Sequence, residues 1–328
     1  MTSISWKPVE GPHGEELRKT LSDTYVDFLE ANPGRLVVPI FHKDWYQRQL
    51  DFPIMEDDVW VVTYPKSGTT WMQEVTWCVV RGIDHPQTSL PLMKRFPFFE
   101  WDCMVAPDFT NERLCPDDPC LPGNTWKILA NMSSPRPIKS HLQEPLLPKQ
   151  MWEVKPKIVY VCRDPRDVCI SYYFHSMKLD GYKKELPDFV ELFLADMLPF
   201  APFWSHTLDF WKRRDQENIL FVRFEDMKED LPRVVRKVAD FLGKEPSAEE
   251  VMRIADHCSF ESMRKNKAVN NETIVHAESE KGKELKFMRK GKVGDWKNHL
   301  TDSQIKAFKE WTFKHLEGSD FPYYRDYE

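Results

Sequence analysis

The sequence predicts an α/β fold: a single domain with a central parallel sheet flanked by helices and a P-loop-like strand–loop–helix at its heart. Three observations carry this expectation. Apolar, β-branched runs recur at Val59–Pro65 (VWVVTYP), Lys157–Arg163 (KIVYVCR) and Ile219–Glu225 (ILFVRFE), and helical patterns separate them rather than hairpin turns. The Lys157–Arg163 run is continuous rather than alternating, as in a strand covered on both faces. The first run stops at PKSGTT and leads directly into a helical pattern, which is the layout of a phosphate-binding turn.

Taken in order, residues 1–35 are polar and mixed, and a surface arm carrying a short helix over Glu15–Leu29 is expected there, with the domain proper at 36–328. The strand Val59–Pro65 is followed by a mostly buried helix over Thr69–Val80. Residues 84–125 are rich in Pro, Phe and Asp and predict long loops with short helices, a length that usually serves function. After Lys157–Arg163 the chain turns at Asp164-Pro165 and enters a helix through DVCISYYFHSM. Amphipathic helix is expected over Asp188–Arg214, and further helices over Leu231–Leu242, Ala248–His257 and Asp302–His315. The stretch Asn266–Lys292 is polar and reads as a mobile loop ending in FMRKG.

Composition narrows the function. With 41% hydrophobic and 30% charged residues in 328, the chain can bury a sizeable core. Its net charge of −6 argues against broad binding to nucleic acid or to an anionic membrane, while a local basic pocket stays possible. The start lacks a signal-peptide stretch, and no run approaches the ~20 apolar residues that span a bilayer. Seven scattered cysteines, an odd number, suit a reducing compartment, so a cytoplasmic location is expected. Cys115 and Cys120 lack a partner pair at zinc-site spacing and read as loop thiols, and no metal is expected.

The PKSGTT turn has chemistry of its own. Gly68 permits a backbone geometry that a Cβ resists, and the amides of Ser67 through Thr70 point out of a helix N-terminus, where an anion is favoured. Lys66 adds a point charge, and Thr69 and Thr70 can cap the helix or donate to phosphate oxygens. In a nucleotide kinase loop the Lys follows the second Gly, whereas here it precedes the only one, and no evident carboxylate ends a neighbouring strand to hold magnesium.

TYPKSGTTW, Thr63–Trp71, resembles the 5′-phosphosulfate loop of the cytosolic sulfotransferases. RPIKSHLQEPLLP, YVCRDPRDVCISYY, FEDMKEDL and FMRKGKVGDWK resemble further motifs of that family in the same order, so the similarity runs from about residue 35 to the end. The resemblance implies a sulfotransferase that moves the sulfuryl group of 3′-phosphoadenosine 5′-phosphosulfate (PAPS) to a hydroxyl of a small aromatic or hydrophobic acceptor and releases adenosine 3′,5′-bisphosphate.

It also implies site residues. Lys66, Ser67, Gly68, Thr69 and Thr70 are expected at the 5′ end of the donor and Trp71 near the adenine. Arg163 and Ser171 are expected at the 3′-phosphate with Arg289, Lys290 and Gly291, and Phe287 and Met288 beside them. Phe224, Cys258 and Phe260 correspond to the adenine pocket, although Phe224 stands where the family commonly has tyrosine and Cys258 where it often has threonine. His141 is the implied general base, with Lys66 and Lys139 stabilising charge in the transfer. The segments Phe96–Trp101 and Tyr172–His175 match regions lining the acceptor pocket, which implies Phe98, Phe99, Trp101 and Tyr172, with Lys139 and His141, as acceptor-binding residues. The family's dimerisation segment is degraded: at Lys297, Thr301, Asp302 and Lys306, valine has become acidic and glutamate basic, so a monomer or weak homodimer is expected. A dehydratase of an allylic alcohol on the same scaffold, a nucleotide kinase and a non-catalytic nucleotide binder are the competing readings.

Overall fold

The computed structural model describes residues 4–104, 106, 108, 118–272 and 284–322; Cys115 and residues 273–283 of the expected mobile loop lie outside them. In chain order the main elements are β1 (Ser5–Pro8), α1 (Gly11–Tyr25), β2 (Phe28–Asn32), β3 (Leu36–Pro39), α2 (His42–Leu50), β4 (Val59–Thr63), α3 (Thr69–Arg81), β5 (Pro137–Ser140), β6 (Lys157–Cys162), α4 (Pro165–His175), α5 (Leu186–Leu194), α6 (Phe203–Trp211), β7 (Ile219–Arg223), α7 (Leu231–Phe241), α8 (Ala248–His257) and α9 (Asp302–Leu316).

The central sheet has the order β5-β4-β6-β7, and every pairing in it is parallel. Side chains leave its strands alternately to two hydrophobic cores. Trp60, Val62, Ile158 and Tyr160 belong to one, and Val61, Val159, Val161 and Val222 to the other. Coverage on both faces is why these strands read as unbroken apolar runs. Helices α3, α7 and α8 supply apolar residues to the second core, and α4 and α6 to the first.

β5 was not expected. Four residues containing a proline and a lysine carry little strand signal, and its place is decided by pairing with β4, Val59 opposite Pro137 and Val62 opposite Ser140. A buried ion pair anchors that edge. Arg136 donates from Nε and Nη2 to the two Asp58 oxygens, each at 2.7 Å, with both side chains fully buried. Asp58 and Arg136 directly precede β4 and β5, so this bidentate clamp aligns the two strands.

The first 35 residues differ from a surface arm. β1, β2 and β3 form an antiparallel sheet, the helix is Gly11–Tyr25 rather than Glu15–Leu29, and Leu17, Leu21, Phe28, Leu29 and Ala31 are buried in the first core. The main chain of Val37 in β3 exchanges hydrogen bonds with Phe200 and Ala201 at 2.7 and 3.0 Å. Helix expected over Asp188–Arg214 is divided into α5 and α6, because Pro199 and Pro202 interrupt it and carry Phe200 inward at a positive φ of 68°. Helix α4 ends at His175, and a π-type turn over Ser176–Asp180 follows.

Removing one partner of the Asp58–Arg136 pair strands a buried charge. Asp58→Ala is expected to lower unfolding free energy by about 3–5 kcal/mol in urea denaturation. A loss below about 1 kcal/mol would reduce the pair to the rank of a surface contact.

Candidate active site

Parallel strands end at one edge, and open α/β sheets bind ligands there. The residues leaving β4 (Pro65 and Lys66), β5 (His141) and β6 (Arg163) meet at this edge, around a cavity of about 380 Å³. The loop from β4 to α3 uses a left-handed backbone at Lys66 (φ 68°) and at Gly68 (φ 114°). A Cβ on Gly68 would come within 2.9 Å of the Phe224 ring, so the close approach also requires glycine there. Ser67 is buried and its Oγ has no hydrogen-bond partner among the described residues, while Thr69 Oγ1 and Thr63 Oγ1 lie 2.6 Å apart.

Lys66 Nζ donates to His175 Nδ1 at 3.1 Å and lies 4.6 Å from the centre of the Phe287 ring. Burial brings the Lys66 ammonium down to about 7, and the nearby charges of Lys139 and Arg163 push the same way. Lys139 Nζ rests 3.7 Å from the centre of the Phe98 ring, and burial lowers it to about 8. The fully buried Glu100 is raised to about 7 by burial and accepts the backbone N–H of His141.

The His141 ring stands between Phe98 and Phe200, with centroids 5.2 and 5.5 Å away. Its Nδ1 lies 2.8 Å from the Thr63 carbonyl oxygen. A carbonyl can only accept, so Nδ1 carries the proton and Nε2 is left as the acceptor. Burial first, then Lys139, holds the imidazole well below its ordinary value, so it is neutral. Behind it, His206 Nε2 donates to the His141 carbonyl at 2.9 Å, which makes His206 Nδ1 the acceptor for the Tyr160 hydroxyl at 2.8 Å. That chain holds the residue in place from the core side.

At the other end of the cavity, Arg163 donates to the carbonyls of Lys66 and Lys292 at 3.3 and 3.1 Å and packs over Phe224 at 4.2 Å. Ser171 on α4 lines the cavity beside it. Arg289 Nη2 and Lys290 Nζ both reach Asp295, at 2.6 and 2.8 Å, and this pairing holds the Asp295 carboxyl far below the usual range. Gly291 has φ 57°, and a Cβ there would lie 2.3 Å from a Phe260 ring carbon. Trp71 meets Phe224 edge to face at 5.4 Å and donates from Nε1 to the Cys258 carbonyl at 2.7 Å.

The cavity thus gathers Lys66, Gly68, Thr69, Thr70, Trp71, Lys139, His141, Arg163, Ser171, Phe224, Phe260 and Phe287–Gly291 from separated stretches of sequence. Phe98, Trp101 and Tyr172 line it too. Phe99 does not: it is fully buried among Phe52, Trp60 and Trp126, because neighbouring residues on this segment face opposite ways. Ser67 and Cys258 stand behind the lining, Cys258 touching it through its carbonyl.

Sequence reasoning missed Tyr25, Asp180, Phe200 and Asp295, all of them lining residues. His175, the last residue of the Tyr172–His175 segment, lies four residues after Ser171 on the same helix face and lines the cavity too. Tyr25 donates to Asp180 at 2.9 Å, and burial raises that carboxyl to about 6. No sequence pattern links these two, which are 155 positions apart.

A family model described as "Sulfotransferase domain" matches residues 56–320. Luciferin sulfotransferase of Photinus pyralis is 38% identical over 275 residues, covering 82% of this chain and 74% of that protein. Sulfotransferase 1E1 of Mus musculus is 35% identical over 295 residues, covering 89% and 94%. Among solved structures, retinol dehydratase in a complex with retinol and PAP superposes with a TM-score of 0.87 at 26% identity, covering 98% of this chain and 99% of that one. Mouse sulfotransferase SULT7A1 complexed with PAP gives 0.65 at 25% identity, covering 88% and 94%.

The His141 environment sets a measurable titration. The unfolded chain takes up the proton as pH falls below about 6.5, while the folded ring resists it. Its contribution to stability is therefore present above that pH and lost as pH falls through the folded value. Nitrogen NMR on labelled protein should find the neutral Nδ1–H form of His141 throughout about pH 5–8. A midpoint near 6.5 would contradict the buried geometry.

Proposed function

This chain belongs to the sulfotransferase family, and from that premise we propose that its cavity takes PAPS at the basic end and a hydroxyl-bearing small molecule at the aromatic end, with His141 as general base. The observation that carries the reading is the buried, neutral His141, its Nδ1 committed to the Thr63 carbonyl and its Nε2 an acceptor, beside Lys66 and Lys139. The residues present fit the donor. Gly68 and Gly291, where a Cβ would strike Phe224 and Phe260, form a cradle for backbone contact with an anion.

In this reading Lys66 and residues 67–70 hold the 5′ end. Arg163, Ser171, Arg289, Lys290 and Gly291 hold the 3′-phosphate, with Phe287 and Met288 alongside. Trp71, Phe224, Phe260 and the Cys258 backbone border the adenine. When bound, the donor supplies an activated sulfuryl group on a phosphate leaving group. His141 Nε2 takes the proton of the acceptor hydroxyl, and the imidazolium so formed is stabilised through Nδ1–H by the Thr63 carbonyl. Lys66 and Lys139 bring positive charge to the site of transfer from a dry setting, where each charge acts more strongly than in water. Arg289 and Lys290 meet the phosphate while Asp295 orients them.

Leu92, Met93, Phe98, Trp101, Tyr172 and Phe200 make the acceptor end apolar. Such a wall favours a flat phenol or a hydrophobic alcohol. A second reading, dehydration of an allylic alcohol, is supported by the likeness to retinol dehydratase over 98% of this chain. We further propose a cytoplasmic monomer. Asp302 opens α9, where its charge suits the helix dipole, and Lys306 is one turn from Glu310, so the altered segment serves its own helix.

His141→Ala is expected to retain adenosine 3′,5′-bisphosphate within a few-fold and to lose about 10²–10⁴-fold in turnover. Near-normal turnover removes His141 from the mechanism. Lys66→Ala should weaken nucleotide binding and rate together. An acceptor panel with sulfur-labelled PAPS should give labelled sulfate esters. Free labelled sulfate with a dehydrated product selects the second reading, and no turnover of any acceptor sinks both. Light scattering should return the mass of one chain, and a stable dimer would overturn the monomer.

A further inference from the structure

Outside the cavity lining, three side chains meet that the transfer chemistry does not use. Glu74 and Cys78 are one turn apart on the buried face of α3, and His257 closes α8. One ligand atom from each of Glu74, Cys78 and His257 lies within 4.8 Å of the other two. His257 Nε2 is 2.8 Å from Glu74 Oε1, and Arg95 Nη2 donates to the other carboxylate oxygen at 2.5 Å.

We propose that Glu74, Cys78 and His257 form a binding site for a zinc-class divalent ion, held through Glu74 Oε1, Cys78 Sγ and His257 Nε2, with the fourth position taken by water. The donor set chooses the metal class. A thiolate and an imidazole suit Zn²⁺ and its tetrahedral analogues, whereas Mg²⁺ and Ca²⁺ want oxygen alone. Arg95 leaves Glu74 one oxygen for the ion and orients it, the part that outer partners play in built metal sites.

The Glu74 carboxylate is shared between the ion and the buried Arg95 guanidinium, and a Cys78 thiolate supplies the second negative charge, so the site holding a dication keeps one net positive charge, beside the edge where His257 reaches solvent. The His257 side chain is 23% exposed, which gives the ion a way in past an otherwise buried pair. Without metal, a proton lies between His257 and Glu74, and metal binding releases it together with the thiol proton of Cys78.

The position has a structural consequence. Thr69 begins α3 at the phosphate turn, and the residue after His257 is Cys258, whose carbonyl holds Trp71. An ion here ties α8 to α3 directly behind the wall that carries Trp71.

The full chain, stripped with a chelator, is titrated with Co²⁺. A thiolate-to-cobalt charge-transfer band is expected to saturate at one equivalent and to vanish on adding Zn²⁺, and Zn²⁺ should raise Tm. Cys78→Ser should abolish the band. His257→Ala, at a partly exposed position that tolerates change, should weaken Co²⁺ binding by more than about tenfold. Cys120→Ser should leave the band intact. The proposal is overturned by absence of the band and of a Zn²⁺-dependent Tm, which an ion-pair network alone would give. It is equally overturned by a band that survives in Cys78→Ser, or by undiminished affinity in His257→Ala if the serine variant does not fold.

Discussion

Parallel pairing of β4 with β5 on one side and β6 on the other is the constraint on which the rest depends. Parallel strands end at the same edge, so Lys66, His141 and Arg163 leave three different strands and still meet. The pairing with β5 is the vulnerable half, because that strand is four residues long and begins with proline. The buried Asp58–Arg136 clamp compensates for its weak intrinsic preference. A fully buried ion pair gains little over a well-packed apolar pair, so alignment is the better account of its presence.

The edge so built concentrates positive charge where water is scarce. Both lysines lose hydration and are drawn toward neutrality, and Lys139 and Arg163 push Lys66 further the same way. Carboxylates are distributed to contain this: Glu100 beside Lys139, Asp295 on Arg289 and Lys290, and Asp180 acting on Lys66. The result is a cleft short of negative charge and prepared for an anionic donor. The same scarcity of water keeps His141 neutral, which is the form a base requires.

The N-terminal segment has a part in the site as well as in the fold. Its sheet grips the Phe200 segment through Val37, Phe200 packs on His141, and Tyr25 reaches Asp180 at the cavity wall. Its polar composition hides this, because the few apolar positions, Leu17, Leu21, Phe28 and Leu29 among them, are those that turn inward.

The sequence alone determined whatever depends on local pattern: strands at Val59–Thr63, Lys157–Cys162 and Ile219–Arg223, the helix after the phosphate turn, and a set of motif residues of which most line one cavity. Those signals are local because an unbroken apolar run or a glycine before a helix acts on its own backbone. Tertiary structure decided β5, the N-terminal sheet, the withdrawal of Phe99 into the core, and the pairing of Lys66 with His175 and of Tyr25 with Asp180. It also decided the meeting of Glu74 and Cys78 with His257. Each of these depends on which face of an element is turned toward a distant partner, and packing of the two cores sets that orientation. The phosphate turn was legible as a motif, but the burial and mutual repulsion that tune Lys66 exist only once the sheet edge has closed around it.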